Sequence, residues 1–278
     1  MKIGCNYSIE AEQLLNDGEI ELDYFKYPAL GFQMKLMENL DDFEVFCNAL
    51  TNKRPVLLHG LYPAPHDLSS PSLQADFNDE IVDKLIEVTK TPGLSLHPAL
   101  TKIPDEIPFS KVLETIINNA IFVKEKFAHM EFVSIENVDT IRWGDLIKPR
   151  VITQLLNETG CSFLLDISHA YYASRALDIN FYDYLKLLPL EKINEIHING
   201  WCENDKGLTS HIKIHDEAYQ ALREVLQYCQ PKYITVEYGR SDDPRGSGCP
   251  IMSPDKINDD AKNEITEQST SIREILYR

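Results

Sequence analysis

Short apolar runs rich in β-branched and aromatic residues recur along the chain, and nearly all are followed by a segment with apolar residues at helical spacing. The runs that predict strands are 2–7, 21–27, 55–59, 94–97, 131–136, 162–166, 193–198 and 233–237. Strands that alternate with helices in this way are parallel and buried on both faces. The alternation therefore predicts a single (β/α)8 TIM barrel over residues 1–278, with an open doubly wound sheet as the alternative.

Capping residues predict where several of the helices begin and end. Asn78 is an N-cap candidate, and Gly93 follows the end of the helix that Asn78 opens. Ser110 is predicted to open the next long helix, and Gly160 to close a later one. The amphipathic stretch 259–277 predicts the last helix of the barrel.

Polar residues cluster where the predicted strands end. In a barrel of this kind the reacting groups lie at those positions, because the loops that follow the strands share one rim. Of the 8 histidines, five lie at or just past a strand end, and three carboxylates do the same. The candidate residues are His59, His97, Glu136, Asp166, His169, His197, His211 and Glu237.

This set of side chains favours a metal centre. Any one of these residues alone would more often be an ordinary polar residue of a loop. Together on one rim, however, they would repel one another or remain unsatisfied unless a cation lay among them. Carboxylates and imidazoles without a thiolate suit zinc, iron or manganese, and bridging carboxylates hold such ions about 3.5 to 4 Å apart. The barrel, if correct, therefore predicts a metal cluster.

Charge and hydropathy narrow the choice of partners. The chain has 27 Lys and Arg against 44 Asp and Glu, a formal net charge of -17 at pH 7. Such an acidic surface repels phosphate backbones, so no nucleic acid partner is expected. No apolar run approaches the roughly 20 residues of a membrane span, and the N-terminus lacks a signal-peptide pattern. We therefore expect a cytoplasmic protein without membrane association.

Several stretches carry a resemblance to a known family. The chain resembles the multinuclear iron-dependent oxidases of the methanobactin-biosynthesis type, which lie within the xylose-isomerase-like and endonuclease IV-like TIM-barrel superfamily. The most specific stretches are Leu165-Asp166-Ile167-Ser168-His169-Ala170-Tyr171, Tyr184-Leu185, Leu188-Pro189-Leu190 and Glu195-Ile196-His197-Ile198-Asn199-Gly200. The endonuclease IV family shares the order of histidines and carboxylates but not these flanks.

The resemblance implies an assignment of ligands to three ions. His59, His97 and Glu136 would hold the first ion, and Glu136 would bridge to a second ion held by Asp166, His197 and Glu237; His169 and His211 would hold the third. The family's Asp-x-His motif appears here as Thr209-Ser210-His211, so the third site lacks its carboxylate unless Asp205 or Asp216 supplies one. Glu136, Asp166, His211 and Glu237 are also the candidate catalytic residues.

The resemblance further implies a function. Two or three divalent or trivalent metal ions, with iron as the first expectation and zinc or manganese as alternatives, would oxidise a cysteine of a ribosomally made peptide with dioxygen. The expected partners are a Cys-containing precursor peptide and a small partner protein that presents it.

Three other functions remain open at this point. A zinc-dependent phosphoester hydrolase of the endonuclease IV type would use the same rim. A sugar isomerase or epimerase would need one ion, held by Glu136, Asp166, His197 and Glu237, which leaves His59 and His97 unexplained. A barrel that only binds a metal or a protein would have no open coordination position.

Overall fold

The strands form a closed barrel, as the eightfold pattern predicts. In the computed structural model the described residues are 1–28, 39–51, 53–60, 67–99, 106–139, 141–204, 207–239 and 257–277. The barrel strands are β1 (Lys2–Asn6), β2 (Tyr24–Pro28), β3 (Val56–His59), β4 (Gly93–Leu96), β5 (Phe132–Glu136), β6 (Ser162–Asp166), β7 (Ile193–Ile198) and β10 (Tyr233–Val236). All neighbours pair in parallel, and β10 pairs with both β7 and β1 to close the ring. The closed ring confirms the (β/α)8 barrel over the doubly wound sheet.

Helices separate the barrel strands along the chain. They are α1 (Ile9–Asp17), α2 (Leu40–Thr51), α3 (Leu73–Asp76), α4 (Asp79–Thr89), α5 (Phe109–Lys126), α6 (Pro149–Thr159), α7 (Ile167–Ala176), α8 (Phe181–Leu187), α9 (Asp216–Val225) and α10 (Asp259–Tyr277), with 3-10 turns at Ile141–Ile147 and Leu190–Lys192. Within the described ranges, no helix has both the length and the apolar character needed to cross a bilayer.

Two of the predicted caps are confirmed and two are wrong. The Asn78 side chain accepts from the backbone N–H of Ile81 at the start of α4, and Gly160 ends α6 with φ of 63°. Helix α5 begins at Phe109, one residue before the predicted Ser110. Lys90 takes the left-handed conformation after α4, whereas Gly93 lies in β4, where an added Cβ would lie 2.5 Å from the ring of Phe132. Gly93 therefore serves packing rather than capping.

The barrel interior changes character from one end to the other. Its lower layer is a separate apolar cluster formed by Tyr24, Leu57, Phe132 and Tyr233. Side chains two or four positions further along a strand point to the same face. His59 and Glu136 follow in this way on β3 and β5, and Glu237 follows Tyr233 just past the end of β10. The apolar layer is therefore the floor beneath the polar rim.

One local structure was missed by the sequence analysis. After β7 the chain forms an antiparallel hairpin of β8 (Gly200–Asn204) and β9 (Gly207–Ile212), which carries His211. A Cβ at Gly200 would lie 1.9 Å from the backbone oxygen of Lys213, so glycine is required for this close approach. Asp205, a suggested source of a carboxylate, lies outside the described residues.

Candidate metal centre

The first group of candidate ligands comes from three adjacent strands. His59 and Glu136 are the last residues of β3 and β5, and His97 directly follows β4. The Nε2 atom of His59 lies 3.2 Å from Oε2 of Glu136, and Nε2 of His97 lies 3.0 Å from the same oxygen. The structure thus brings the three residues of the proposed first site together, with their ligand atoms within 4.8 Å of one another.

The second group also contains Glu136. The Nδ1 atom of His197 on β7 lies 3.4 Å from Oε1 of Glu136 and 2.9 Å from Oε2 of Glu237. Asp166, the last residue of β6, completes a set of four whose ligand atoms lie within 4.8 Å of one another. Glu136 is therefore placed where a carboxylate shared by two ions would have to lie.

The third group contains a carboxylate that the sequence analysis had assigned only to the second ion. Asp166 lies with His169, from the first turn of α7, and with His211, from β9. Asp216, one of the two suggested substitutes for the missing carboxylate, is exposed at the start of α9. The carboxylate that joins His169 and His211 in this group is thus Asp166, and all eight candidate residues belong to at least one group.

Buried polar atoms in these groups lack hydrogen bonds. Both carboxylate oxygens of Glu136, Oε2 of Glu237 and Nδ1 of His197 are buried without a hydrogen-bond partner, although they lie close together. Leaving such an atom unsatisfied costs about 1–3 kcal/mol, and more for a charged group. A cation among them would accept the lone pairs of all four atoms. The residues present therefore fit a metal centre with nitrogen and oxygen ligands.

Protonation is uneven across the candidate site. Burial and the neighbouring His97 lower the pKa of His59 to about 4. Burial also lowers the pKa of His169, but Asp166 and Glu136 outweigh it and raise that pKa to about 10. Burial likewise opposes the charged form of Glu136, yet the adjacent imidazoles hold its pKa well below the usual range. Bound protons thus balance part of the carboxylate charge, and a metal ion would have to displace them.

Most of the histidines also have a hydrogen-bond partner at one ring nitrogen. His59 Nδ1 lies 3.3 Å from the backbone oxygen of Ser95, His169 Nδ1 2.9 Å from that of Asn137, His197 Nε2 3.2 Å from Oε1 of Glu195, and His211 Nδ1 2.9 Å from Oγ of Ser210. Such partners fix the orientation of a metal-binding imidazole. For His97, the described residues supply no partner to Nδ1.

Two asparagines that the sequence analysis did not single out connect the ligands. Asn137 donates to the backbone oxygen of Asp166 and accepts from its N–H, at 3.0 and 2.8 Å. Asn199 donates to Oδ2 of Asp166 at 2.9 Å and accepts from the N–H of His211 at 3.2 Å. A signal was available, because each asparagine follows a candidate ligand by one or two residues at a strand end.

Comparisons of the sequence identify related proteins. The sequence profile of the family described as RiPP precursor modification enzyme MbnB/TglH/ChrH matches residues 33–243. A UPF0276 protein of Chromobacterium violaceum is 32% identical over 168 residues, which are 56% of this chain and 60% of that protein. A UPF0276 protein of Acinetobacter baylyi is 24% identical over 199 residues, covering 66% and 67% of the two chains. The match to the Chromobacterium violaceum protein thus spans less than two thirds of its length.

Comparisons of the fold identify xylose-isomerase-like barrels. A D-tagatose 3-epimerase-like protein has a TM-score of 0.62 at 14% identity, with 98% of both chains covered. A xylose isomerase domain protein from Planctomyces limnophilus has a TM-score of 0.58 at 12% identity, covering 99% of this chain and 96% of that one. Endonuclease IV from Thermus thermophilus has a TM-score of 0.54 at 15% identity, covering 97% and 99%. At these identities the likeness shows the fold alone.

Proposed function

The chain belongs to the family of enzymes that modify RiPP precursors, the precursors of ribosomally synthesised and post-translationally modified peptides, and on that premise we propose that it is a multinuclear metal-dependent oxidase. Its substrate is a cysteine of such a precursor peptide, and dioxygen is the electron acceptor. Two or three ions form the centre, with iron as the metal. A small partner protein presents the peptide.

The shared position of Glu136 carries this proposal. One of its carboxylate oxygens lies near His59 and His97, and the other lies near His197. A single-ion isomerase would use only the group around His197 and would leave the imidazoles of His59 and His97 beside Glu136 without a role. Two ligand groups that meet at one carboxylate favour a centre with more than one ion.

The ions, when bound, would supply Lewis acidity and exchange electrons with the substrate. The residues of this chain hold the centre and control access to it. The side chains of His97, His169 and His211 are 14–16% exposed, whereas those of Glu136 and His197 are at most 1% exposed. The peptide cysteine therefore approaches from the side of the three partly exposed histidines. Glu136, Asp166, His211 and Glu237 are the proposed catalytic residues, because they belong to the ligand groups that the cysteine would reach from that side.

Metal analysis and turnover together test the proposal. Protein purified without oxygen should contain iron by elemental analysis, and Mössbauer spectra should show more than one iron environment. The iron-loaded protein should consume dioxygen and a Cys-containing precursor peptide, and the same peptide with serine in place of cysteine should not react. The proposal fails if zinc-loaded protein cleaves phosphodiesters anaerobically at a rate that iron and oxygen do not improve.

A further inference from the structure

A buried polar network lies inside the barrel between the apolar floor and the candidate metal centre. Lys26 of β2 donates to both carboxylate oxygens of Glu195 on β7, at 2.8 and 2.7 Å. Ser95 donates to one of these oxygens at 3.0 Å, and Thr235 donates to the other at 2.7 Å. Tyr24 lies 2.7 Å from the hydroxyl of Thr235 and joins the network to the floor. The carboxylate of Glu195 is thus held from three directions.

Stability alone does not explain this ion pair. The side chains of Lys26 and Glu195 are both fully buried, and placing two charges in such an environment costs free energy that their attraction only partly returns. Apolar residues of similar size commonly stabilise a protein core at least as well. The lower layer of the same barrel is indeed filled by Tyr24, Leu57, Phe132 and Tyr233. The position of the pair directly beneath the candidate metal centre therefore indicates a role towards that centre.

Glu195 contacts one of the candidate ligands. Its Oε1 atom lies 3.2 Å from Nε2 of His197, which is two residues later on the same face of β7. With Nε2 directed to Glu195, the Nδ1 atom of His197 faces Glu136 and Glu237. His59, His97 and His211 present the opposite nitrogen, Nε2, to these carboxylates. The Nδ1 atom of His169 lies 2.9 Å from the backbone oxygen of Asn137 and 3.5 Å from Oε1 of Glu136.

We propose that Glu195, clamped by Lys26, is a positioning residue that makes His197 bind metal through Nδ1, whereas His59, His97 and His211 bind through Nε2. The carboxylate accepts the hydrogen on Nε2 and so keeps the lone pair of Nδ1 directed at the centre. Lys26, Ser95 and Thr235 fix both oxygens of Glu195, and the ring of His197 cannot rotate without breaking that contact. This inference rests on the metal centre of the proposed function but on none of its redox chemistry.

Paired substitutions separate positioning from a purely structural role. Lys26→Met and Glu195→Gln each leave a buried charge or dipole without its partner, so both single variants should have a lower melting temperature. The double variant removes both charges and should recover most of that loss. Its affinity for zinc, measured with a competing chelator dye, should still be roughly 10- to 100-fold weaker than that of the native protein. Glu10→Gln, at another buried glutamate, is the matched control and should bind zinc normally.

The outcomes distinguish this inference from the proposed function. A double variant that binds zinc as tightly as the native protein would assign the pair to structure alone and overturn the positioning role. Native protein that binds no zinc would instead contradict the metal centre and, with it, both proposals.

Nuclear magnetic resonance of the native protein answers the same question if the double variant does not fold. Protein labelled with 15N-histidine and loaded with zinc should show the imidazole of His197 coordinated through Nδ1, with a hydrogen-bonded proton on Nε2. A spectrum in which all ligand histidines coordinate through Nε2 would overturn the inference.

Discussion

The candidate ligands divide into an inner and an outer set that are held in different ways. The inner set is buried, with side chains at most 7% exposed, and comprises His59, Glu136, Asp166, His197 and Glu237. The outer set is 14–16% exposed and comprises His97, His169 and His211. Inner residues lie on barrel strands or directly after one, whereas two of the outer residues lie on a helix turn and a hairpin.

The difference shows which part of the centre the fold itself determines. Asp166 and His197 are direct partners in the pairing of β6 with β7, so the barrel register sets their separation. His211 depends instead on the β8–β9 hairpin and has φ of +61°, in the left-handed region. A closed barrel tolerates little change in strand register. The sequence and conformation of a hairpin outside the barrel can change without disturbing that register. The outer set is therefore where a family pattern can vary, and Thr209 lies in that region.

Loss of the shared inner carboxylate should have the largest effect. Glu136→Gln removes the charge that lies within 3.5 Å of His59, His97, His169 and His197. Because Glu136 is the proposed ligand of two ions, the variant should lose more than one ion per chain. Elemental analysis after desalting measures this loss.

The matched control is Glu131→Gln, which changes an exposed glutamate paired with Lys232 at the other end of β5. This variant should retain the native metal content. If Glu136→Gln also retains it, Glu136 does not bridge two ions, and the contrast between the inner and outer sets loses its main support.

Acid should release the third ion, held by Asp166, His169 and His211, before the ion at His59. The pKa of His197 is also raised, because Glu237 outweighs the effect of burial, so the second ion should share the pH dependence of the third. His59 has a pKa of about 4 and is neutral at higher pH, so a metal displaces no proton from it. His169 has a pKa of about 10, and the pKa of His211 is also raised because carboxylates, Glu237 first, outweigh the effect of burial. His169 is therefore protonated near neutrality, and the raised pKa of His211 favours its protonated form, so an ion must expel the proton of His169. Its affinity should fall about tenfold per pH unit for each displaced proton.

A zinc titration at several pH values between about 8 and about 6 measures this order. His169→Gln should bind one ion fewer, and the pH dependence of the remaining ions should be shallower. If all ions were lost equally on acidification, protonation of His169 and His211 would not weaken the third ion relative to the ion at His59.

The fold was largely predictable because buried parallel strands leave a strong local signal. Each of the eight apolar runs overlaps an observed barrel strand, and the ends differ by at most three residues, as at 21–27 against Tyr24–Pro28. The hairpin was not predictable in the same way. Gly200–Ile212 mixes polar and apolar residues, and the close approach of Gly200 to Lys213 depends on the folded chain.

The candidate site was predictable where its residues end strands and not where they lie inside them. His59, Glu136 and Asp166 stand at strand ends, and the barrel then requires them to meet at one rim. Lys26 and Glu195 lie within buried strands, and nothing along the chain indicates that they pair with each other across the barrel. Only the strand order and register bring them together beneath His197.

The smallest expected effect concerns Thr209, where the resemblance to the oxidase family implies a carboxylate. Thr209 lies two residues before His211 on β9, which is the spacing of the Asp-x-His motif, so Thr209→Asp adds a carboxylate to the segment that carries His211. Asp166 already lies with His169 and His211, so Thr209→Asp should increase the affinity for the third ion only a few-fold rather than create its site.

The measurement is metal stoichiometry after dialysis against a mild chelator, with Thr209→Asn as the neutral control. The native protein should lose part of its third ion, the Asp variant less, and the Asn variant as much as the native protein. Three firmly held ions in the native protein would show that Asp166 alone compensates for the change, and that the outer set is not the weaker part of the centre.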